Sequence, residues 1–186
     1  MPKTHHPRPT TNDSRPTIRI GYGFDSHEFR AAIPLKIGGI TLPHDKGLGG
    51  HSDGDVLLHA ITDALLGAVA APDIGALFPP SDLKWKGADS ALFLREALSR
   101  VSKAGYKLAN VDASLILAVP KIGPHAAAIR NRVARLLGLP SDCVGLKAKT
   151  PEGLNLENAA IAHVVVLLER TRLKKTKAAK KRRSQS

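Results

Sequence analysis

HSDGDVLLHAITDALLG, residues 51–67, joins a cluster of small polar residues to a helical apolar repeat. Ser52 or Asp53 can cap a helix running to about Val69, whose apolar side carries Val56, Leu57, Ala60, Ile61, Ala64, Leu65 and Ala68. Asp55, His59 and Asp63 recur four apart and so share one face of that helix. Three polar groups on a stripe of an otherwise apolar helix need a reason. A solvent-facing stripe accounts for the acids, which the N-terminal dipole favours, but not for His59. A metal-binding imidazole hands its second nitrogen to a carboxylate, and Asp63 or Asp55 is placed to take it. His51 and Ser52 precede the helix, where unpaired N–H groups and the dipole attract phosphate.

Upstream, Thr17–Tyr22 (TIRIGY) alternates as a strand and ends at Gly21-Tyr22-Gly23. Gly23-Phe24-Asp25-Ser26-His27 follows. If the chain stays extended there, Asp25 and His27 project to one side. A carboxylate oxygen beside an imidazole nitrogen suits a divalent ion such as Zn²⁺. Taken alone, the pair reads more simply as a turn cap and a surface histidine. Leu35–Leu42 (LKIGGITL) reads as a second strand, with Gly38-Gly39 marking a bulge or close backbone approach. Pro43 to Gly50 reads as a turn-rich loop.

Downstream, Pro72 to Trp85 is a long irregular connection. Ser90 to Ala104 is a helix with Leu94, Ala97, Leu98 and Val101 inward and Gly105 as its stop. Val111–Val119 is a buried strand, Pro124 to Leu137 a third helix ended by Gly138, and Val144–Lys149 and Ile161–Glu169 are further strands. The order β-β-α-α-β-α-β-β predicts a single α+β domain, a two-layer sandwich of one sheet with helices on one face. That domain is expected over residues 18–169, between a flexible N-terminal extension (1–17) and a basic flexible tail (170–186).

The net charge of +12 invites a nucleic-acid reading, but nine Lys and Arg residues and no acid lie in 170–186. Residues 18–169 are close to neutral, so the charge says little about the domain. Such a run reads as a solvated tail, and nucleic acid is not an expected partner. Every apolar run is too short to span a membrane, residues 1–17 lack the apolar core of a secretory signal, and the single Cys143 allows no internal disulfide. A cytoplasmic location is expected.

Two more clusters carry chemistry only in combination. Asp73-Ile74-Gly75 through Phe78-Pro79-Pro80-Ser81-Asp82 holds two acids in a Pro-rich loop, and carboxylates accept hydrogen bonds from a diol. Leu117-Ala118-Val119-Pro120-Lys121-Ile122-Gly123 and Lys147-Ala148-Lys149-Thr150-Pro151-Glu152-Gly153 each follow a strand, where small groups can wall a flat base and lysines can face a diphosphate.

In this order and spacing, Arg19–His27, Gly38-Gly39, His51–Gly67, Asp73–Asp82, Lys86–Ser90 (KGADS), Asn110-Val111-Asp112, Pro120-Lys121 with Pro124-His125, and Lys147–Leu154 closely resemble the 2-C-methyl-D-erythritol 2,4-cyclodiphosphate synthase family of the non-mevalonate isoprenoid pathway. The match spans residues 18–155, and HSDGD followed four residues later by His, paired with GFDxH, is highly specific. The resemblance implies cyclisation of a 4-diphosphocytidyl-methylerythritol 2-phosphate with release of CMP, by a homotrimer with active sites between subunits. It implies Asp25, His27 and His59 as ligands of a Zn²⁺-like ion, and Glu152 as holder of a Mg²⁺ or Mn²⁺ ion on the diphosphate. His51 and Thr150 would stabilise the transition state. Ser26 would contact the substrate, His51 and Ser52 would position its phosphates, the 73–82 loop would hold the erythritol portion, and residues 117–123 with 149–152 would hold cytidine and diphosphate. The pathway's cytidylyltransferase is a further candidate partner.

The chain departs from the family at three places. Lys149 stands where a second Thr is usual, Asn155–Ile161 replaces a Gly-Phe-x-Gly-Arg-x-Glu-Gly segment, and the basic tail is an addition. Two rival readings are a phosphohydrolase using the same ion on another nucleotide and a nucleic-acid-binding protein with a purely structural metal. CMP release separates the first, and a fourth protein ligand would mark the second.

Overall fold

A computed structural model of the protein describes residues 15–171. The extension expected over 1–17 and the tail expected over 170–186 lie almost wholly outside these residues.

The first strand, β1 (Ile18–Ala31), does not stop at its glycines but carries the Gly-Phe-Asp-Ser-His segment within it. β2 (Leu35–Ile37) and β3 (Ile40–Leu42) form a separate hairpin. Gly38 and Gly39 turn it with φ of +63° and +75°, the paired left-handed conformation of a tight two-residue hairpin turn. The single bulged strand expected over Leu35–Leu42 is therefore two strands. β4 (Lys46–Leu48) lies in the stretch read as loop and pairs with the end of β1. β5 (Tyr106–Leu117) begins earlier than expected, with an irregularity between Leu108 and Asn110. β6 (Val144–Lys149) and β7 (Ala159–Arg170) complete the set.

The main sheet runs β4-β1-β7-β5-β6. Only β5 and β6 are parallel, joined through a helix as a parallel pair requires. The described residues form four α-helices, α1 (Val56–Ala68), α2 (Ile74–Leu77), α3 (Ser90–Lys103) and α4 (Ala126–Leu137), where three were expected. α2 is a single turn inside the connection read as irregular. Gly138, at φ +67°, closes α4 as expected.

Alternation along β7 sends Ala160, Ala162, Val164, Val166 and Leu168 into the core, where they meet α1. α1 is buried on nearly every side, since the sheet lies under it and α3 beside it. Each fully buried Leu, Ile or Val there contributes about 1.5–3 kcal/mol. On the opposite face of the sheet no helix packs among the described residues. That face exposes Ile18, Ile20, Tyr22, Phe24 and Val165, with Tyr22 59% accessible.

Candidate active site

The inward positions of β1 set the site. At Gly21 a Cβ would lie 1.8 Å from the Ala64 carbonyl oxygen, and at Gly23 1.9 Å from that of Ala60. Only glycine permits this approach, so α1 rests its Ala60-Ala64-Ala68 stripe directly on the β1 backbone. The next inward positions of the strand are Asp25 and His27, and the helix residue before Ala60 is His59. Two small-residue rows in contact thus bring one strand-borne pair under one helix-borne imidazole.

The three side chains converge. Asp25 Oδ2 lies 2.8 Å from His27 Nε2 and 2.9 Å from His59 Nδ1, and the two imidazole nitrogens are 3.1 Å apart. They form the one cluster of three potential metal-ligating groups among the described residues. Tetrahedral bonds of about 2.0–2.1 Å place ligand atoms roughly 3.3 Å apart, so these groups fit a divalent ion with slight spreading. One carboxylate and two imidazoles match its chemistry, and three protein ligands leave a fourth position for substrate or water.

Burial pushes the Asp25 carboxyl up, but hydrogen bonds and charge attraction from His27 and His59 outweigh it and bring it down to about 2. Burial pushes His27 down, and its hydrogen bond to Asp25, the Asp25 charge and a bond to the Gly49 backbone raise it overall.

The outer nitrogen of His59 does not reach Asp63 or Asp55. His59 Nε2 lies 2.8 Å from Ser90 Oγ and 2.9 Å from Ser52 Oγ. Asp63 instead accepts from the Ile74 N–H. Asp55 is the helix cap in place of Ser52 or Asp53, taking the N–H groups of Leu58, Gly38 and Gly39. Helical spacing placed these acids on one face with His59, but each is drawn to a nearer backbone donor. Ser90 was not singled out beforehand. Its available signal was the KGADS stretch, in which Asp89 caps α3 and delivers Ser90 to the helix start.

His27, His51, Ser52, His59, Ile74, Gly75, Phe78 and Pro80 line one pocket with Trp85 and Phe93. The last two were missed. Their rings pack with Phe78 at centroid distances of 5.0 and 4.5 Å and form an aromatic wall. Pro79 and Ser81 are not in the lining. Asp73 lies at the edge, capping α2 through the Ala76 N–H, and Asp82 pairs with Lys84. Ser26 opens with His27 onto a neighbouring groove beside Asn155.

Leu117, Pro120, Lys121, Ile122, Gly123, Lys149, Thr150 and Glu152 line a different groove. The Thr150 hydroxyl donates to Glu152 there. Ala118 and Pro151 are not in its lining, and Val119 lines a further hollow with Phe29 and His44. The metal-side pocket and this groove share no lining residue. His27 and Leu117 both oppose Ala160 across the sheet, which sets their Cα atoms about 10 Å apart.

The YgbB family profile matches residues 18–169. The chain is 69% identical over 153 residues to a 2-C-methyl-D-erythritol 2,4-cyclodiphosphate synthase of Koribacter versatilis, covering 82% of this chain and 99% of the relative. A solved cyclodiphosphate synthase structure in its CDP-bound form matches at TM-score 0.77 and 46% identity, over 81% of this chain and all of the other. The bifunctional IspDF of Campylobacter jejuni matches at TM-score 0.79 and 36% identity, over 82% of this chain and 42% of that one. With the motifs on their expected elements and the profile spanning the fold, the chain belongs to the YgbB family of 2-C-methyl-D-erythritol 2,4-cyclodiphosphate synthases.

Proposed function

We propose that the protein catalyses the reaction in its family's name, converting 4-diphosphocytidyl-2-C-methyl-D-erythritol 2-phosphate into 2-C-methyl-D-erythritol 2,4-cyclodiphosphate and CMP. The convergence of Asp25 with His27 and His59, which line one pocket, carries the reading. The 2-phosphate attacks the β-phosphorus of the same molecule, a new P–O bond forms, and the bond to CMP breaks. The nucleophile is already ionised, so the protein needs no strong base. Its work is to fold the substrate so that its ends meet and to offset repulsion between two anions. A divalent ion held by the triad would supply charge for that purpose.

His51 and Ser52 face the same pocket and would position the phosphates. Ile74, Gly75, Phe78 and Pro80, with Asp73, Pro79, Ser81 and Asp82 around them, would hold the erythritol portion. Ser26 would contact the substrate from the neighbouring groove. The groove of residues 117–123 and 149–152 would take cytidine and diphosphate, with Thr150 stabilising the transition state and Glu152 holding a Mg²⁺ or Mn²⁺ ion.

Pocket and groove are separate within one chain, and the exposed sheet face has no partner among the described residues. Both observations support a homotrimer in which one subunit's groove meets the next subunit's metal site. The bifunctional relative, in which this fold is less than half of the chain, supports association with the pathway's cytidylyltransferase. No helix among the described residues is long and apolar enough to cross a membrane, which accords with a cytoplasmic enzyme.

The test is incubation with the substrate, with and without chelator, followed by phosphorus NMR. CMP and cyclodiphosphate should appear together and both should vanish with chelator. Hydrolysis of generic phosphoesters without cyclodiphosphate would favour the phosphohydrolase reading and sink this one. His59→Ala should lose metal uptake and turnover together.

A further inference from the structure

We infer that Ser90, Asp53 and Lys36 are positioning residues for the metal centre, fixing which nitrogen of His59 faces the ion. The inference rests on the reading of Asp25, His27 and His59 as a metal site. Ser90 is fully buried at the start of α3, with its Oγ 2.8 Å from His59 Nε2. A serine hydroxyl has one proton to donate, and Ser90 donates it to Asp53 Oδ1. Asp53 is itself anchored. Its Oδ2 accepts from Lys36 Nζ at 3.1 Å, its Oδ1 faces the Asp55 N–H at 3.4 Å, and its own N–H donates to the Ala88 carbonyl at 3.1 Å. Ion-paired with Lys36, the carboxylate only accepts, so the direction of the Ser90 bond is set.

With its proton committed to Asp53, Ser90 can meet His59 only as an acceptor. That draws the hydrogen to His59 Nε2 and frees the Nδ1 lone pair for a cation, against the Asp25 carboxylate, which draws the hydrogen to Nδ1 while no cation is bound. Nδ1 is the nitrogen 2.9 Å from Asp25 Oδ2 and 3.1 Å from His27 Nε2, at the point where the three ligand atoms converge. The chain Lys36–Asp53–Ser90–His59 thus favours the tautomer able to grip a cation over the one that aims an N–H at Asp25. Ser52 Oγ, 2.9 Å from the same Nε2, shares that N–H as a second acceptor. Its own proton is then directed to the pocket, where a phosphate oxygen would take it.

The test uses the full chain. Nitrogen-15 NMR of the metal-free protein reads the His59 tautomer, and competition with a chromophoric chelator reads zinc affinity. Wild type should hold more of the Nε2–H form than Ser90→Ala. Ser90→Ala should shift His59 toward the Nδ1–H form and weaken zinc binding about 10–100-fold, the usual effect of losing a hydrogen-bond partner behind a metal ligand. Asp53→Asn should produce a smaller loss alone and no further loss in the Ser90→Ala background, because its effect runs through Ser90. Asp53→Asn moves the same tautomer equilibrium, so the relay is tested even where Ser90→Ala does not fold. An unchanged tautomer, an affinity within about twofold of wild type, or an undiminished Asp53→Asn effect in the double variant overturns the proposal. Wild-type protein that takes up no zinc overturns the metal reading instead, and the tautomer measurement still decides the relay.

Discussion

Asp25 and His27 stabilise each other's charged forms, and an incoming cation must compete with that arrangement. A metal ligand must give up its proton, and the Asp25 carboxylate makes His27 reluctant to do so, raising it above the ordinary 6.5. The sign follows directly: as pH falls through that raised value, protons occupy His27 and metal affinity drops. The drop should begin above pH 6.5 and approach about tenfold per pH unit below the titration point. Zinc titrations between about pH 8 and 6 would show it, and a flat affinity over that range would contradict the ligand assignment. Two glycines give predictions of opposite sign. Gly23→Ala drives a methyl into the Ala60 carbonyl, so α1 must lift away. That should cost about 1–3 kcal/mol in a urea melt and weaken metal uptake through the adjoining His59. A Cβ at Gly67, in the last turn of the same helix, meets nothing nearer than the Tyr22 carbonyl oxygen at 3.7 Å. Gly67→Ala should stabilise the protein by about 0.5–1 kcal/mol through helix propensity alone.

Among the elements, α1 and the β2–β3 hairpin are tied together by one buried side chain. Asp55 caps α1 through the Leu58 N–H at 3.0 Å and takes the turn N–H groups of Gly38 and Gly39 at 2.9 and 2.6 Å. Burial raises its pKa, and the three donors only partly counter that. Asp55→Ala leaves those donors without their acceptor and should cost about 2–4 kcal/mol, read as a lower urea midpoint. A loss below about 0.5 kcal/mol would show that the cap carries no weight. Asp55 also marks how far the sequence was legible. Strand periodicity was enough to place Asp25 and His27 on one side, because that relation needs only two neighbouring residues and an extended backbone. Helical periodicity placed His59 correctly too. It could not say which partner each acid takes, since Asp55 bonds to a turn 16 or 17 residues upstream and His59 to Ser90, 31 residues downstream. Gly38-Gly39 signals a bulge or a close backbone approach in LKIGGITL, and only the two left-handed φ angles separate a hairpin from a continuous strand. The specific site motifs were legible because they are local. Strand order and the aromatic wall of Trp85 and Phe93 were not, because they depend on contacts made across the chain.

At the scale of the molecule, the sheet has one covered face and one open face. Ile20 is 68% and Tyr22 59% accessible on the open side, beside Phe24, His163 and Val165. Contiguous apolar surface of this kind marks association. Phe24→Glu should therefore shift the assembly toward monomer in light scattering and remove turnover, while zinc binding per chain persists because the triad lies on the other face. An unchanged mass with full activity would count against subunit contact through this sheet. The order of the strands has a separate consequence. β7 occupies the middle of the sheet yet is its last strand along the chain. Synthesis proceeds at about 5–20 residues per second from the N-terminus, so β1 and β5 emerge from the ribosome with an empty slot between them. The sheet cannot close until β7 enters that slot, and Asp25 and His27 gain their strand partners Ala162 and Ala160 only then.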